Sequence, residues 1–378
     1  MATGETFHDP NLPSPPIRRL VGPLARFLRV ESASGIVLLV CTAAALALAN
    51  SPAAASWGHL WHTHVEFKVG PFELAGDLGH LVVNDVLMTV FFFVVGLEIK
   101  RELVAGELRD PRKAALPVAA ALGGMLVPAL VYFALQRGQP GERGWGVPMA
   151  TDIAFVVGVL ALFGRRVPFG LKIMLLSLAI VDDIGAVVVI AVFYSTGVSW
   201  AMLGAAAAGL AAVVAVLNRL GVRSVGVYAA AGALVWLAMF RSGVHPTIAG
   251  VVLGLMTPAA AWVSEDVLRK SVAAFHARLE DAEIHQDTPE LESMSFAAKE
   301  SVSPLERLER HLHPWVGFVV MPLFALANAG VVVEPAALRS PVALAVAAGL
   351  FVGKPVGVLL FSSAGSRCGA AWRACRTA

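Results

Sequence analysis

Leu178–Ala179–Ile180–Val181–Asp182–Asp183–Ile184–Gly185–Ala186–Val187 sets two adjacent carboxylates in the middle of an otherwise apolar run. The run covers about 169–194, and a helix of ~20 apolar residues is enough to cross a bilayer. An ionisable group at mid-membrane costs at least ~2.5 kcal/mol on insertion scales, so each is a functional candidate by default. Neighbours on a helix point ~100° apart, so Asp182 and Asp183 address different partners. Both cannot ionise cheaply in a low dielectric unless a cation compensates them, and a small hard cation takes carboxylate oxygens. Such a pair holds either a cation or protons, which is the chemical basis of exchange. The plainer alternative is a purely structural ion pair.

This reading requires the chain to lie in lipid, and the composition agrees. Of the 378 residues, 57% are hydrophobic and 15% charged, with mean hydropathy +0.73; soluble domains have roughly 45–50% and about 25%. Further apolar runs lie at about 33–49, 81–104, 113–136, 145–164, 198–217, 223–240, 244–257, 313–332 and 341–363, giving about ten spans. The expected class is an all-α polytopic membrane protein. Residues 1–32 form a polar, basic N-terminal segment, 33–363 the transmembrane domain with a polar insert at about 258–310, and 364–378 a tail. The insert reads as a solvated helical linker. Ala47–Leu48–Ala49 would suit a leader-cleavage site, but its run is long enough to be a first span. A net charge of +2 argues against a nucleic-acid partner. Cys41, Cys368 and Cys375 are too few and too scattered for a disulfide framework or a zinc site.

Basic residues in alternate loops fix the direction. Arg18, Arg19, Arg26 and Arg29 precede the first span, Lys100, Arg101, Arg109, Arg112 and Lys113 follow the second, and Arg165, Arg166, Arg219 and Arg223 continue the series. Both termini and the insert are therefore expected on the cytoplasmic side. On the outer side, His64–Val69 and Phe72–Leu74 alternate in character around Gly70–Pro71, the period of a short β-hairpin whose open edge could add to a partner's sheet, although a surface loop that merely alternates would look the same.

Other charges lie where charge is expensive. Lys354, in Gly353–Lys354–Pro355–Val356–Gly357, is the positive partner in sight of the aspartates, in a setting that weakens the helix. Gly144, Gly146 and Pro148 precede Thr151–Asp152, so that span is expected to be discontinuous. Half-helix ends expose partial charges that Asp152 and Lys354 have the signs to neutralise. Broken helices carrying charge in two halves of a chain mark a secondary transporter's site. Glu98, Arg101 and Glu102 share one helix face by their spacing, and Glu309 and His313 fall on the same side of the membrane. Histidine titrates nearest physiological pH, so this second cluster suits a pH-responsive entrance, although snorkelling helix-end charges would look the same. His245 stands by itself near an outer helix end. An intramembrane aspartyl protease would also use aspartates, but on separate helices within a Gly-x-Gly-Asp setting that is absent here.

The chain resembles the NhaA-type sodium/proton antiporters. The similarity rests on Asn84–Asp85, Val95–Gly96–Leu97–Glu98–Ile99–Lys100–Arg101–Glu102, Ala150–Thr151–Asp152–Ile153–Ala154–Phe155, Val181–Asp182–Asp183–Ile184–Gly185 and Ser242–Gly243–Val244–His245. It continues through His313–Pro314–Trp315–Val316, Pro322–Leu323–Phe324–Ala325–Leu326–Ala327–Asn328–Ala329–Gly330–Val331 and Gly353–Lys354–Pro355. The resemblance implies an inverted-repeat fold with discontinuous helices in the bacterial cytoplasmic (inner) membrane. It implies electrogenic export of Na⁺ or Li⁺ in exchange for protons, with no enzymatic step and no cofactor. Asp183 and Thr151 would bind the cation, Asp182 would pair with Lys354 and share proton carriage, and Asp152 would compensate helix-end charge. Glu98, Arg101, Glu102, Glu309 and His313 would form a pH-responsive funnel, with His245 and Asp85 contributing. The hairpin near 64–74 would be a homodimer contact. The family has His directly after the Glu of the Glu309 motif, where this chain has Arg310. Its pattern also continues with two further spans after Gly-Lys-Pro, which the residues after Ser362 do not match. The second repeat is therefore expected to be incomplete, and a truncated, non-transporting member is the alternative function.

Overall fold

The structure, a computed structural model, describes residues 31–69, 72–150, 166–193, 225–242, 245–280 and 288–377, with isolated positions between 156 and 212. The chain opens with α1 (Glu31–Ala49) and α2 (Ala54–Trp61), which meet at 118°. Pro52 lies in the break, where a residue without an N–H cannot continue the ladder. The Asn50 side chain fixes the turn by donating to the Val331 carbonyl at 2.9 Å and accepting from the Val333 N–H at 2.8 Å.

Next come β1 (His64–Val69) and β2 (Phe72–Asp77), an antiparallel pair in the register His64↔Asp77 to Val69↔Phe72. The hairpin expected from the period-2 pattern is present and three residues longer than its alternation suggested. It leads into a π-helical turn, Leu78–Leu87, that continues as α3 (Met88–Val104). Helix α4 (Pro111–Gln136) begins with Asp110 accepting from the Arg112 N–H at 3.0 Å and Pro111 in the first turn, the position where proline costs nothing. A 3₁₀ segment follows at Glu142–Met149, then α5 (Phe169–Phe193), α6 (Val225–Ser242) and α7 (Thr247–Met256).

The polar insert carries α8 (Glu265–Glu280) and α9 (Thr288–Glu300) and leads into α10 (Pro304–Trp315). Helix α10 passes through a π turn at Val316–Val320 into α11 (Met321–Asn328). The insert is helical, as expected, but not simply a solvated linker. Leu305 is buried, the Glu300 carbonyl accepts from the N–H groups of Trp262 and Val263 at 3.1 Å, and Arg307 pairs with the buried Glu300. A single leucine and a paired acid knit its ends together, and mixed surface charge conceals this in the sequence.

The described chain closes with α12 (Pro341–Ala348), a π turn at Gly349–Gly353, and α13 (Lys354–Thr377). Helix α13 does not stop at 363. The Ser362 and Ser363 hydroxyls turn back onto the Val358 and Leu360 carbonyls at 2.6 and 2.7 Å, so the Ser-Gly-Ala stretch continues the helix.

Among the described residues, four helical segments are long and apolar enough to cross a membrane: Leu78–Val104, Pro111–Gln136, Gly170–Ile190 and Pro341–Gly365. The bent pair α1–α2 makes a fifth candidate. Helices α6 and α7 fall on the runs at 223–240 and 244–257, and α10–α11 reaches back nine residues before the run at 313–332. Most of 145–164 and 198–217, with Thr151 and Asp152, lies outside the described residues. The long helices leave apolar side chains exposed along their outer faces, Val192, Leu234 and Leu359 among them, as a lipid-facing surface requires.

Glycines set how closely these helices approach. An added Cβ at Gly96 or Gly254 would stand 2.5 Å from the Val251 or Phe93 carbonyl oxygen, so α3 and α7 cross backbone to backbone. At the other crossing, α4 against α13, a Cβ on Gly123 would strike the Gly357 carbonyl and one on Gly357 would strike Gly123. Gly349 and Gly353 lie equally tight on Pro148 and Pro128. Without a hydrophobic drive between helices in lipid, small residues of this kind are the usual means of association.

Candidate functional site

The α4–α13 crossing decides where Lys354 can reach. With Gly353 and Gly357 flat against α4, the Lys354 stem passes beside Gly124 and its Nζ arrives at α5. There Nζ lies 2.9 Å from Asp182 Oδ2 and also donates to the Met149 carbonyl at the end of the 3₁₀ segment. The Asp182 side chain is 1% exposed and that of Lys354 16%. Beneath the pair, Ala120, Ala121, Met125, Ala129, Met149 and Leu178 form a buried apolar cluster. Gly185 lets α5 approach, since a Cβ there would run into Met125. Asp183, one residue on, is half-buried on a different face of α5.

The glycines around Lys354 thus serve a purpose other than the one their sequence suggested. They make the crossing close, while the helix itself is continuous through a π turn. A π turn leaves its carbonyls in an altered register and often marks a functional position. The signal was present in the sequence as Gly349, Gly353 and Gly357 at a spacing of four.

The second cluster gathers at the other end of α3 from the hairpin. Arg101 Nη1 bonds Glu309 Oε1, and His313 Nδ1 stands 3.6 Å from Glu98 Oε1. Helices α3 and α10 are thereby joined by one ion pair and one histidine–carboxylate contact. Glu102 is not brought to them. Its Oε2 accepts from the Glu107 N–H at 3.1 Å, and it lies so close over Gly106 that no Cβ would fit there. A shared face by spacing did not carry Glu102 into the cluster, because the helix ends two residues later and the Glu107 N–H that opens the next 3₁₀ turn donates to the carboxylate. Arg310 is exposed beside this cluster.

Glu309 lies ahead of the apolar run, and its carboxyl is pushed up from the ordinary carboxylate range. Burial is the main cause; Arg101 and His313 oppose it while Glu98 and Glu306 add to it. A carboxyl with a raised folded-state pKa keeps its proton longer in the folded chain than in the unfolded one. Its contribution is full below the unfolded value and is lost as pH rises through the folded one. Glu309→Gln should therefore flatten the pH dependence of melting just above the normal glutamate range, where the unsubstituted chain loses stability with rising pH. Parallel melting curves for the two would show that Glu309 does not titrate there.

Asp85 is buried on the π-helical turn that starts the α3 span, with Oδ2 3.2 Å from His80 Nδ1. Its carbonyl accepts from the Thr89 hydroxyl, whose Oγ1 accepts from Trp236 Nε1 of α6 at 2.9 Å. His245 is exposed and acts on Asp85 electrostatically. Asn84 and Asn328 exchange reciprocal amide bonds at 3.2 and 2.8 Å, tying this turn to α11.

A family model described as Na+/H+ antiporter 1 matches residues 25–375. The chain belongs to this family. Among similar proteins, Na(+)/H(+) antiporter NhaA 2 of Acidiphilium cryptum (strain JF-5) is 51% identical over 366 residues, covering 96% of this chain and 81% of its own. NhaA 2 of Sorangium cellulosum (strain So ce56) is 52% identical over 369 residues, 94% of this chain and 78% of its own. NhaA of Rhizobium meliloti (strain 1021) is 49% identical over 354 residues, 93% and 80%. These relatives are named as antiporters, and with the apolar helices the family places this NhaA-like chain among multi-pass membrane proteins.

Proposed function

We propose that this chain is a Na⁺/H⁺ antiporter whose exchange centres on α5. The observation that carries the reading is the buried Lys354–Asp182 contact, anchored to Met149 beside a second aspartate, in a chain about half identical to named NhaA antiporters. Lys354 compensates Asp182, and Asp183 supplies the carboxylate for exchange. Protonated, Asp183 is neutral and cheap to bury. Ionised, it offers oxygen to Na⁺ or Li⁺, with Thr151 as a further oxygen ligand and Asp152 offsetting helix-end charge. Proton and cation compete for one charge, so the two fluxes are coupled.

Around that centre we assign a fold of about ten spans with inverted repeats, in the bacterial inner membrane with both termini cytoplasmic. Glu98, Arg101, Glu309 and His313 form the cytoplasmic pH-responsive cluster, and Asp85 with His245 responds to pH at the opposite, hairpin end. The hairpin joins two copies. A two-stranded ribbon is marginal by itself, and its exposed Phe67 and open edge suit pairing with the same ribbon of a second chain. Purified chain in proteoliposomes tests the exchange directly: an imposed Na⁺ gradient should drive proton movement the other way. No proton movement under that gradient would refute the reading.

A further inference from the structure

The turn Leu78–Leu87 is wound as a π-helix, and this winding makes a contact that an α-helix would not. Side chains stack three or four apart on an α-helix but five apart on a π turn. His80 therefore lies over Asp85, ring nitrogen to carboxylate oxygen at 3.2 Å. The two have opposite access to water, with the His80 side chain 78% exposed and that of Asp85 9%.

Few other charges bear on Asp85. Among the described residues, His80 contacts it directly and His245 is the other ionisable side chain that reaches it. From α11 the turn meets the Asn328 amide, which is bonded to Asn84. On the hairpin, Asp77 is engaged by His62 at 3.1 Å. The turn is also braced: the Asp85 carbonyl, the Thr89 hydroxyl and the Trp236 indole form one chain of hydrogen bonds from α3 to α6.

We propose that His80 and Asp85 form a proton port at the hairpin end, with His80 as its water-facing member. This rests on the antiport reading and adds to it a residue to which the resemblance gives no part. The imidazolium takes its proton from water. It passes the Nδ1 proton to Asp85 Oδ2, leaving a neutral imidazole and a neutral carboxylic acid. In reverse, the carboxyl returns its proton to the ring and the ring to water. An exposed imidazole alone would be an ordinary surface histidine. One bonded to a buried carboxylate connects bulk water to the span's interior.

Infrared pH titration of the purified full-length chain in lipid, without Na⁺, tests this. One carboxyl band should titrate and be absent from Asp85→Asn. In His80→Gln its midpoint should rise by at least about half a pH unit, since a cation favouring the carboxylate has gone. In His80→Lys, which keeps a positive charge, the midpoint should stay at or below that of the unsubstituted chain. In proteoliposomes His80→Gln should exchange several-fold more slowly at unchanged apparent Na⁺ affinity. An unshifted midpoint in His80→Gln, no band lost in Asp85→Asn, a Lys variant behaving like Gln, or an unchanged exchange rate would each overturn the port. The titration is read without transport, so its failure leaves antiport standing, and failure of antiport in the unsubstituted chain leaves the titration readable.

Discussion

Asp183→Asn should abolish Na⁺-dependent proton movement in proteoliposomes while the protein still folds and inserts. Asparagine has nearly the same shape as aspartate and fits the same half-buried place on α5. It has no ionisable proton to exchange, and its neutral carbonyl is a much poorer ligand for a hard cation than a carboxylate oxygen. Both halves of the exchange are lost in one atom's substitution. Because Asp182 and Lys354 remain paired beside it, the melting temperature should change little. Near-normal flux with unchanged apparent Na⁺ affinity would move the cation to another residue.

The opposite pattern, a large stability effect, is expected at Lys354. Its ammonium compensates a carboxylate that is 1% exposed and donates to the Met149 carbonyl as well. Removing one partner of a buried pair leaves an uncompensated charge and costs on the order of 3–5 kcal/mol. Lys354→Ala should lower the melting temperature sharply. Adding Asp182→Asn removes the stranded charge and should recover part of the loss, with a coupling of about 0.5–3 kcal/mol between contacting sites. If the two melting shifts simply add, the pair does not interact in the folded protein.

Much of this arrangement was legible because lipid makes polar groups conspicuous. Asp182, Asp183 and Lys354 stand out against apolar runs, and only a few partners are available to a charge at that depth. The hairpin was only half legible, because alternation about a Gly-Pro centre suits a surface loop as well as paired strands. What escaped the sequence depends on geometry that residue type does not record. The Met149 carbonyl that shares Lys354 is a backbone atom and bears no mark in the residue pattern. Glu102 lies on the expected face of α3, yet the Glu107 N–H, which opens the following 3₁₀ turn, holds its carboxylate away from the cluster. His80 and Asp85 are five apart, a spacing with no meaning on an α-helix, and only the π winding makes them neighbours. Ser362 and Ser363 read as the start of a tail, although their hydroxyls can bond the preceding turn and the helix continues.

The π turn at Gly349–Gly353 has one more consequence, for heredity. It holds a residue more than a plain α-helix would need between α12 and Lys354. Losing any one of the five would let the segment close into regular α-helix without breaking the chain's hydrogen bonds. Because the turn spreads its extra residue over nearly the same arc as a plain α turn, the flanks would keep their relative orientation. Loss of Phe351 or Val352 would leave Lys354 at Asp182 and Gly349, Gly353 and Gly357 on Pro148, Pro128 and Gly123. Phe351 and Val352 point outward, with 82% and 59% of their surface exposed, and could be exchanged for other apolar residues at little cost. One of these two links could be dropped as well. At this point the gene tolerates the loss of a codon, which in a plain α-helical stretch would turn every later side chain by ~100°.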